Sequence, residues 1–149
     1  MENLTETPQF ALAVLCVYDR YVLQLRDDVA GIAAPGMWAL FGGRIEAQEN
    51  PAEALVREIR EELCIELRTY RHWRTVEAHH EFLGCMARYW IFEADIVDCW
   101  GKHELREGQD VKDFGFAELK GLEIPRLIRQ LLQQHYRARI SMNHPETTR

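Results

Sequence analysis

Three glutamates in one short stretch, Glu58, Glu61 and Glu62, stand at i, i+3 and i+4. If that stretch is helical, all three carboxylates leave the same face. Like charges at this spacing repel one another, at about a few tenths of a kcal/mol per pair. A hard divalent cation would turn the repulsion into binding. Mg²⁺ takes oxygen ligands, is held by a few carboxylates together with substrate phosphates, and keeps several waters. Such a site can activate a water while drawing charge off phosphoryl oxygens. Without a cation, the same pattern is an ordinary solvated acidic face, because glutamate is favoured on surface helices.

The elements that must position these glutamates are partly legible. Asn50 is suited to cap a helix, Pro51 to open it, and Glu53 to close a capping box. Leu55, Ile59 and Leu63 recur in steps of four and form a stripe to bury, so a helix is predicted over Pro51–Leu63. Upstream, residues 10–18 are a continuous apolar run of strand length, expected to be covered on both faces. Tyr21, Leu23 and Leu25 alternate with Val22, Gln24 and Arg26, which predicts a second strand. Residues 27–36 hold two Asp, two Gly and a Pro and read as a loop. The apolar stretch 38–41 is expected to stop at Gly42-Gly43. Further strands are predicted over 65–70, 86–97 and 111–116, and the polar region 71–84 reads as a loop. A late helix over 125–137 would present Leu127, Ile128, Leu131 and Leu132 on one face. This order implies an α/β fold in one domain spanning residues 1–149, with a mixed sheet between helices and a polar, frayed tail from about residue 141.

The stretch from Gly43 to Ile65 also resembles the box of the Nudix hydrolase family. Gly43, Glu49, Arg57, Glu58, Ile59, Glu61, Glu62 and Ile65 stand at the box's spacing. Cys64 departs from it, standing where the family usually has glycine after the helix. Left-handed backbone there would cost cysteine about 1 kcal/mol, or the turn would differ. The resemblance implies a Nudix-type α/β/α sandwich that uses Mg²⁺ or Mn²⁺. It implies Glu58, Glu61 and Glu62 as metal ligands, with Glu62 the most direct and Glu58 a ligand or the base. It implies an Arg57–Glu49 ion pair that orients the loop. Gly42 and Gly43 would let the backbone approach metal or phosphate, with Gly42 in the metal set and Gly43 on the substrate side. Arg26 and Arg44 are candidates for phosphate contact. Glu107 matches the further acid that family members often draw from a later loop, and Glu46 is another possible ligand. Trp38 and Tyr89 could stack on a base, although large aromatics in strands are usually core. The pair His79-His80 carries no metal spacing.

The expected activity is metal-dependent hydrolysis of a diphosphate linkage in a nucleoside diphosphate linked to some moiety X. A nucleoside triphosphate is slightly favoured over ADP-ribose or a nucleotide sugar. The alternatives are a non-catalytic nucleotide-binding regulatory module and a non-hydrolytic member of the superfamily. The formal net charge of −6 argues against a general nucleic-acid binder, so the partner is a small nucleotide-like molecule. The four cysteines form no CxxC pair and read as reduced thiols. Residues 1–10 lack Lys and Arg, and the run 10–18 is too short to span a bilayer. A cytoplasmic, non-membrane location is therefore the expectation.

Overall fold

The computed structural model describes residues 6–143. Strand β1 (Gln9–Val17) runs through the middle of the sheet and reads apolar from Phe10 onward because both its faces are covered. Ala11, Ala13, Leu15 and Val17 pack with Ala54, Leu55, Ile59 and Leu63 of helix α1 (Pro51–Leu63). Val14 and Cys16 face the opposite way, into a second cluster with Leu131 and Leu132 of helix α2 (Arg126–Asn143). Each such buried Leu or Ile is worth about 2 kcal/mol relative to exposure. Helices on both faces of one sheet make the predicted α/β/α sandwich.

The sheet has seven strands. The others are β2 (Arg20–Leu25), β3 (Trp38–Ala39), β4 (Phe41–Arg44), β5 (Arg71–His80), β6 (Cys85–Asp95) and β7 (Asp110–Phe114). Strand β1 pairs antiparallel with β2 and β4 and parallel with β6, so the sheet is mixed, as expected. Strand β2 also pairs with β3 and β7, and β5 closes one edge against β6.

Three expectations need correction. Residues 65–70 form no strand. Their alternation arises because Ile65 and Leu67 tuck into the α1-side core without a strand partner. The region 71–84, read as a loop, is β5 and its turn into β6. As an edge strand, β5 keeps its charged residues largely toward solvent while Trp73, Val76 and Ala78 pack on the α2-side core. The apolar stretch 38–41 stops at Gly42-Gly43, and β4 runs on through both glycines, paired with Ala11 and Leu12. Helix α2 extends past the predicted end at residue 137 and includes Ser141. The rest of the predicted tail, 144–149, lies outside the described residues. Among the described residues no helix is long and apolar enough to cross a membrane.

Helix α1 has the start its sequence predicts. The Asn50 side chain accepts from Glu53 N–H at 2.8 Å and the Glu53 carboxylate accepts from Asn50 N–H at 3.2 Å, completing the capping box. At its other end, Cys64 takes up the left-handed conformation at φ 56°, ψ 32°, with its N–H donating to Arg60 C=O at 3.0 Å. The turn is thus the one a glycine would make, and the cysteine bears the strain. Cys64→Gly is expected to stabilise the protein by about 0.5–1 kcal/mol, after allowing for glycine's freer unfolded chain. Thermal unfolding would show a Tm about 2–4 °C higher at most.

Candidate active site

The site is built where β4 meets α1. Gly42 has φ +134°, and a Cβ there would lie 2.1 Å from Ala11 O, so only glycine lets β4 lie against β1 at this point. At Gly43 a Cβ would lie 2.5 Å from Glu58 Oε1, so its absence lets that carboxylate come up against the strand. Glu62 reaches further in and is buried. Its Oε1 accepts from Gly42 N–H and its Oε2 from Gln24 Nε2, both at 3.0 Å. Loss of water pushes the Glu62 carboxyl up to about 8. The Gly42 and Gln24 donors oppose that rise, and the charges of Glu58 and Glu107 add to it.

Arg57 is the hub of the outer part. Its guanidinium grips Glu49 with two bonds, Nε–Oε2 at 2.7 Å and Nη2–Oε1 at 3.0 Å. Nη2 also donates to Arg44 C=O at 3.1 Å. Nη1 lies 2.9 Å from Glu58 Oε1, 3.3 Å from Glu61 Oε2 and 3.7 Å from Glu46 Oε1. Glu49 also accepts from Glu46 N–H at 2.9 Å, so the loop after β4 is tied to α1 through one planar cation. Burial raises the Glu58 carboxyl above the usual range. Arg57 opposes the rise, and the charges of Glu61 and Glu107 reinforce it.

The end of α1 brings in Glu107. The last carbonyls of a helix need donors. Here Glu104 N–H donates to Leu63 C=O at 3.0 Å and Arg106 N–H to Glu62 C=O at 2.9 Å. The same segment is fixed to β2, with Gln109 N–H donating to Leu25 C=O at 2.7 Å and Gln109 Nε2 to Arg26 C=O at 2.9 Å. Glu107, between these anchors, is exposed, and its charge is felt by both Glu58 and Glu62.

The structure thus brings Gly42, Gly43, Arg44, Arg57, Glu58, Glu61, Glu62 and Glu107 into one neighbourhood. Arg26 stands beside it, its Nε donating to Ala33 C=O at 2.7 Å. Trp38 does not join the group: its ring packs edge-on to Phe114, centroids 4.9 Å apart, against the α2-side core. Tyr89 and His80 both stack on Phe10, at 5.4 Å and 5.0 Å. The residue that sequence reasoning missed is Gln24, buried on β2. A signal was available: Gln24 is in phase with Val22 on a strand, and an amide on a buried face needs polar partners.

The donor set suits a hard divalent cation. It consists of carboxylates, with no thiol or imidazole among them, and both partners of the buried Glu62 carboxylate are neutral N–H groups. Among the described residues no three Asp, Glu, His or Cys side chains are already gathered round one point. Arg57 holds Glu58 and Glu61 instead, so these two would have to turn from the guanidinium toward a cation.

A pH dependence follows. Because the folded Glu62 carboxyl is raised from 4.5 to about 8, the folded state holds this proton more tightly than the unfolded chain does. The stability this group contributes is complete below 4.5 and is lost as pH rises through about 8. With a chelator present, the Tm of the wild type is therefore expected to fall relative to that of Glu62→Gln over this range. Two parallel Tm–pH curves would contradict this.

A mixed sheet between two helices, with a diglycine strand set against a glutamate-bearing helix, is the architecture of the Nudix class. The family model for the NUDIX domain matches residues 7–134, so the chain belongs to that family. Among solved structures it is similar to the MutT protein from Methanosarcina mazei Go1, with 19% identity over 91% of this chain and 98% of that one, TM-score 0.76. It is also similar to the NUDIX domain of Shewanella oneidensis NrtR complexed with ADP ribose, with 19% identity, 92% and 90% of the chains covered, TM-score 0.75. The E. coli dihydroneopterin triphosphate pyrophosphohydrolase matches at 22% identity, 85% and 92% covered, TM-score 0.66. No curated protein matches the chain significantly.

Proposed function

We propose that this protein hydrolyses the diphosphate linkage of a nucleoside diphosphate linked to X, using Mg²⁺ or Mn²⁺ held by Glu58, Glu61 and Glu62 beside Gly42. The observation that carries the reading is the buried Glu62 carboxylate, held by Gly42 N–H and Gln24, with Glu58 and Glu107 close enough to raise its pKa. An acid is buried among other acids only at a cost, unless a cation is to be shared with them. When bound, divalent ions would draw charge off the phosphate oxygens and acidify water.

The chain's own residues do the rest. Arg57, fixed by Glu49, ties the loop after β4 and the strand end that carries Arg44 to α1. Arg44 and Arg26 supply positive charge for the diphosphate oxygens. Glu58 or Glu107 accepts the proton of the attacking water, a P–O bond forms to one phosphorus, and the P–O bond to the departing phosphoryl group breaks. Catalysis is mainly positioning and charge stabilisation. The ADP ribose of the NrtR complex and the dihydroneopterin triphosphate named for the E. coli enzyme make these two compounds, together with nucleoside triphosphates, the first to test. The test is a substrate panel with Mg²⁺ and with Mn²⁺, scored by product identity. Turnover of at least one such diphosphate that stops with chelator is the expected result. Binding without turnover under every metal condition would instead make the protein a non-catalytic module.

A further inference from the structure

Gln24 lies on β2, away from the segment that resembles the Nudix box, and it is buried, with only 2% of its surface exposed. Its amide nitrogen stands 3.0 Å from two oxygens at once, Leu40 O and Glu62 Oε2. The Leu40 carbonyl can only accept a hydrogen bond, so the end of Gln24 that faces both must be the NH₂ group. Both its hydrogens are thereby committed, one to Leu40 between β3 and β4 and one to the carboxylate. On the other side of that carboxylate, Gly42 N–H holds Oε1 at 3.0 Å. The two carboxylate oxygens are thus gripped from two different strands, β2 and β4, and the Glu62 side chain has one orientation.

We infer that Gln24 is the positioning residue for Glu62: by clamping Oε2 to the Leu40 carbonyl it fixes the orientation in which this carboxylate meets a divalent cation. Donors behind a ligating carboxylate set its direction, and their loss typically weakens metal binding about 10–100-fold. A residue one methylene shorter would not span from β2 to Glu62, and an apolar one would leave the buried Leu40 carbonyl and Glu62 Oε2 each without this donor. The inference rests on the reading of Glu62 as a cation ligand.

The test is Mn²⁺ binding to the full chain, followed by electron paramagnetic resonance of free Mn²⁺, with Tm measured alongside. Gln24→Met keeps the length and removes both donors. It is expected to bind Mn²⁺ about 10–100-fold more weakly. In a Glu62→Gln background the same substitution is expected to change Mn²⁺ affinity by less than about twofold, because the group it positions is gone. A purely structural role would lower Tm equally in both backgrounds and leave Mn²⁺ affinity where it was. If Gln24→Met does not fold, Gln24→Asn carries the same comparison, since it keeps an amide but stops short of Glu62. Wild-type affinity in a folded Gln24 variant would overturn the inference alone. Failure of the wild type itself to bind Mn²⁺ would overturn the underlying reading of the site and the inference with it.

Discussion

Glu62→Gln is expected to lower Mg²⁺-dependent hydrolysis by about a thousandfold, equivalent to about 4 kcal/mol of lost transition-state stabilisation. The substitution keeps the shape and removes the charge. The fold should survive it, because two effects oppose each other. An amide in place of the carboxylate must present NH₂ either to Gly42 N–H or to the Gln24 NH₂, so one donor now at 3.0 Å loses its acceptor. That loss costs about 1–3 kcal/mol. Against it, a buried carboxylate whose proton affinity is already raised no longer has to be desolvated. Tm should therefore shift by only a few degrees while turnover collapses. Steady-state kinetics with the best diphosphate substrate, beside thermal unfolding of the same preparation, checks both halves. Turnover close to wild type would remove Glu62 from the site.

How far the sequence reaches can be judged from these same residues. Helix α1 was legible from end to end because its signals are local: a capping box, a proline at the start and an apolar stripe of period near 3.6. Its carboxylates share a face for the same reason. The Arg57–Glu49 pair, implied by resemblance to the Nudix box, is present with both guanidinium contacts. Gln24 was legible only as a polar residue in phase with Val22; its role was not, because that lies in a contact with Glu62 on another element, and alternation along β2 says nothing about which face α1 will cover. Strand β5 was hidden by composition. An edge strand with one solvated face takes His, Arg and Glu freely, and only its pairing with β6 makes it a strand. Residues 65–70 misled in the opposite sense, since Ile65 and Leu67 alternate to fill the core and not to pair. The proximity of Glu107 depends on backbone donors of residues 104 and 106 finding the open carbonyls at the end of α1, which residue types do not encode.

The two neighbouring glycines of β4 are expected to fail in opposite ways when each is replaced by alanine. At Gly42 the new Cβ would stand 2.1 Å from Ala11 O and 2.8 Å from Leu12 Cα, both backbone atoms of the central strand, on a backbone at φ +134°. Nothing there can swing aside, so β4 must part from β1. We expect Gly42→Ala to lose about 4 kcal/mol or more, among the largest effects of a single substitution. In a domain of this size that is a fall in Tm of about 10 °C or an insoluble product. At Gly43 the collision is with Glu58, 2.5 Å to Oε1 and 2.6 Å to Cδ, at the far end of a flexible side chain. Gly43→Ala should therefore fold with a cost near 1 kcal/mol. Its Glu58 carboxylate, however, is driven from its place between the strand and Arg57, and a displacement of that size can cost about 100-fold in rate. Denaturation midpoints and kcat measured on both variants separate the two effects. A well-folded but inactive Gly42→Ala, or an unfolded Gly43→Ala, would mean that β4 meets β1 in a different register from the one that brings Gly42 N–H to Glu62.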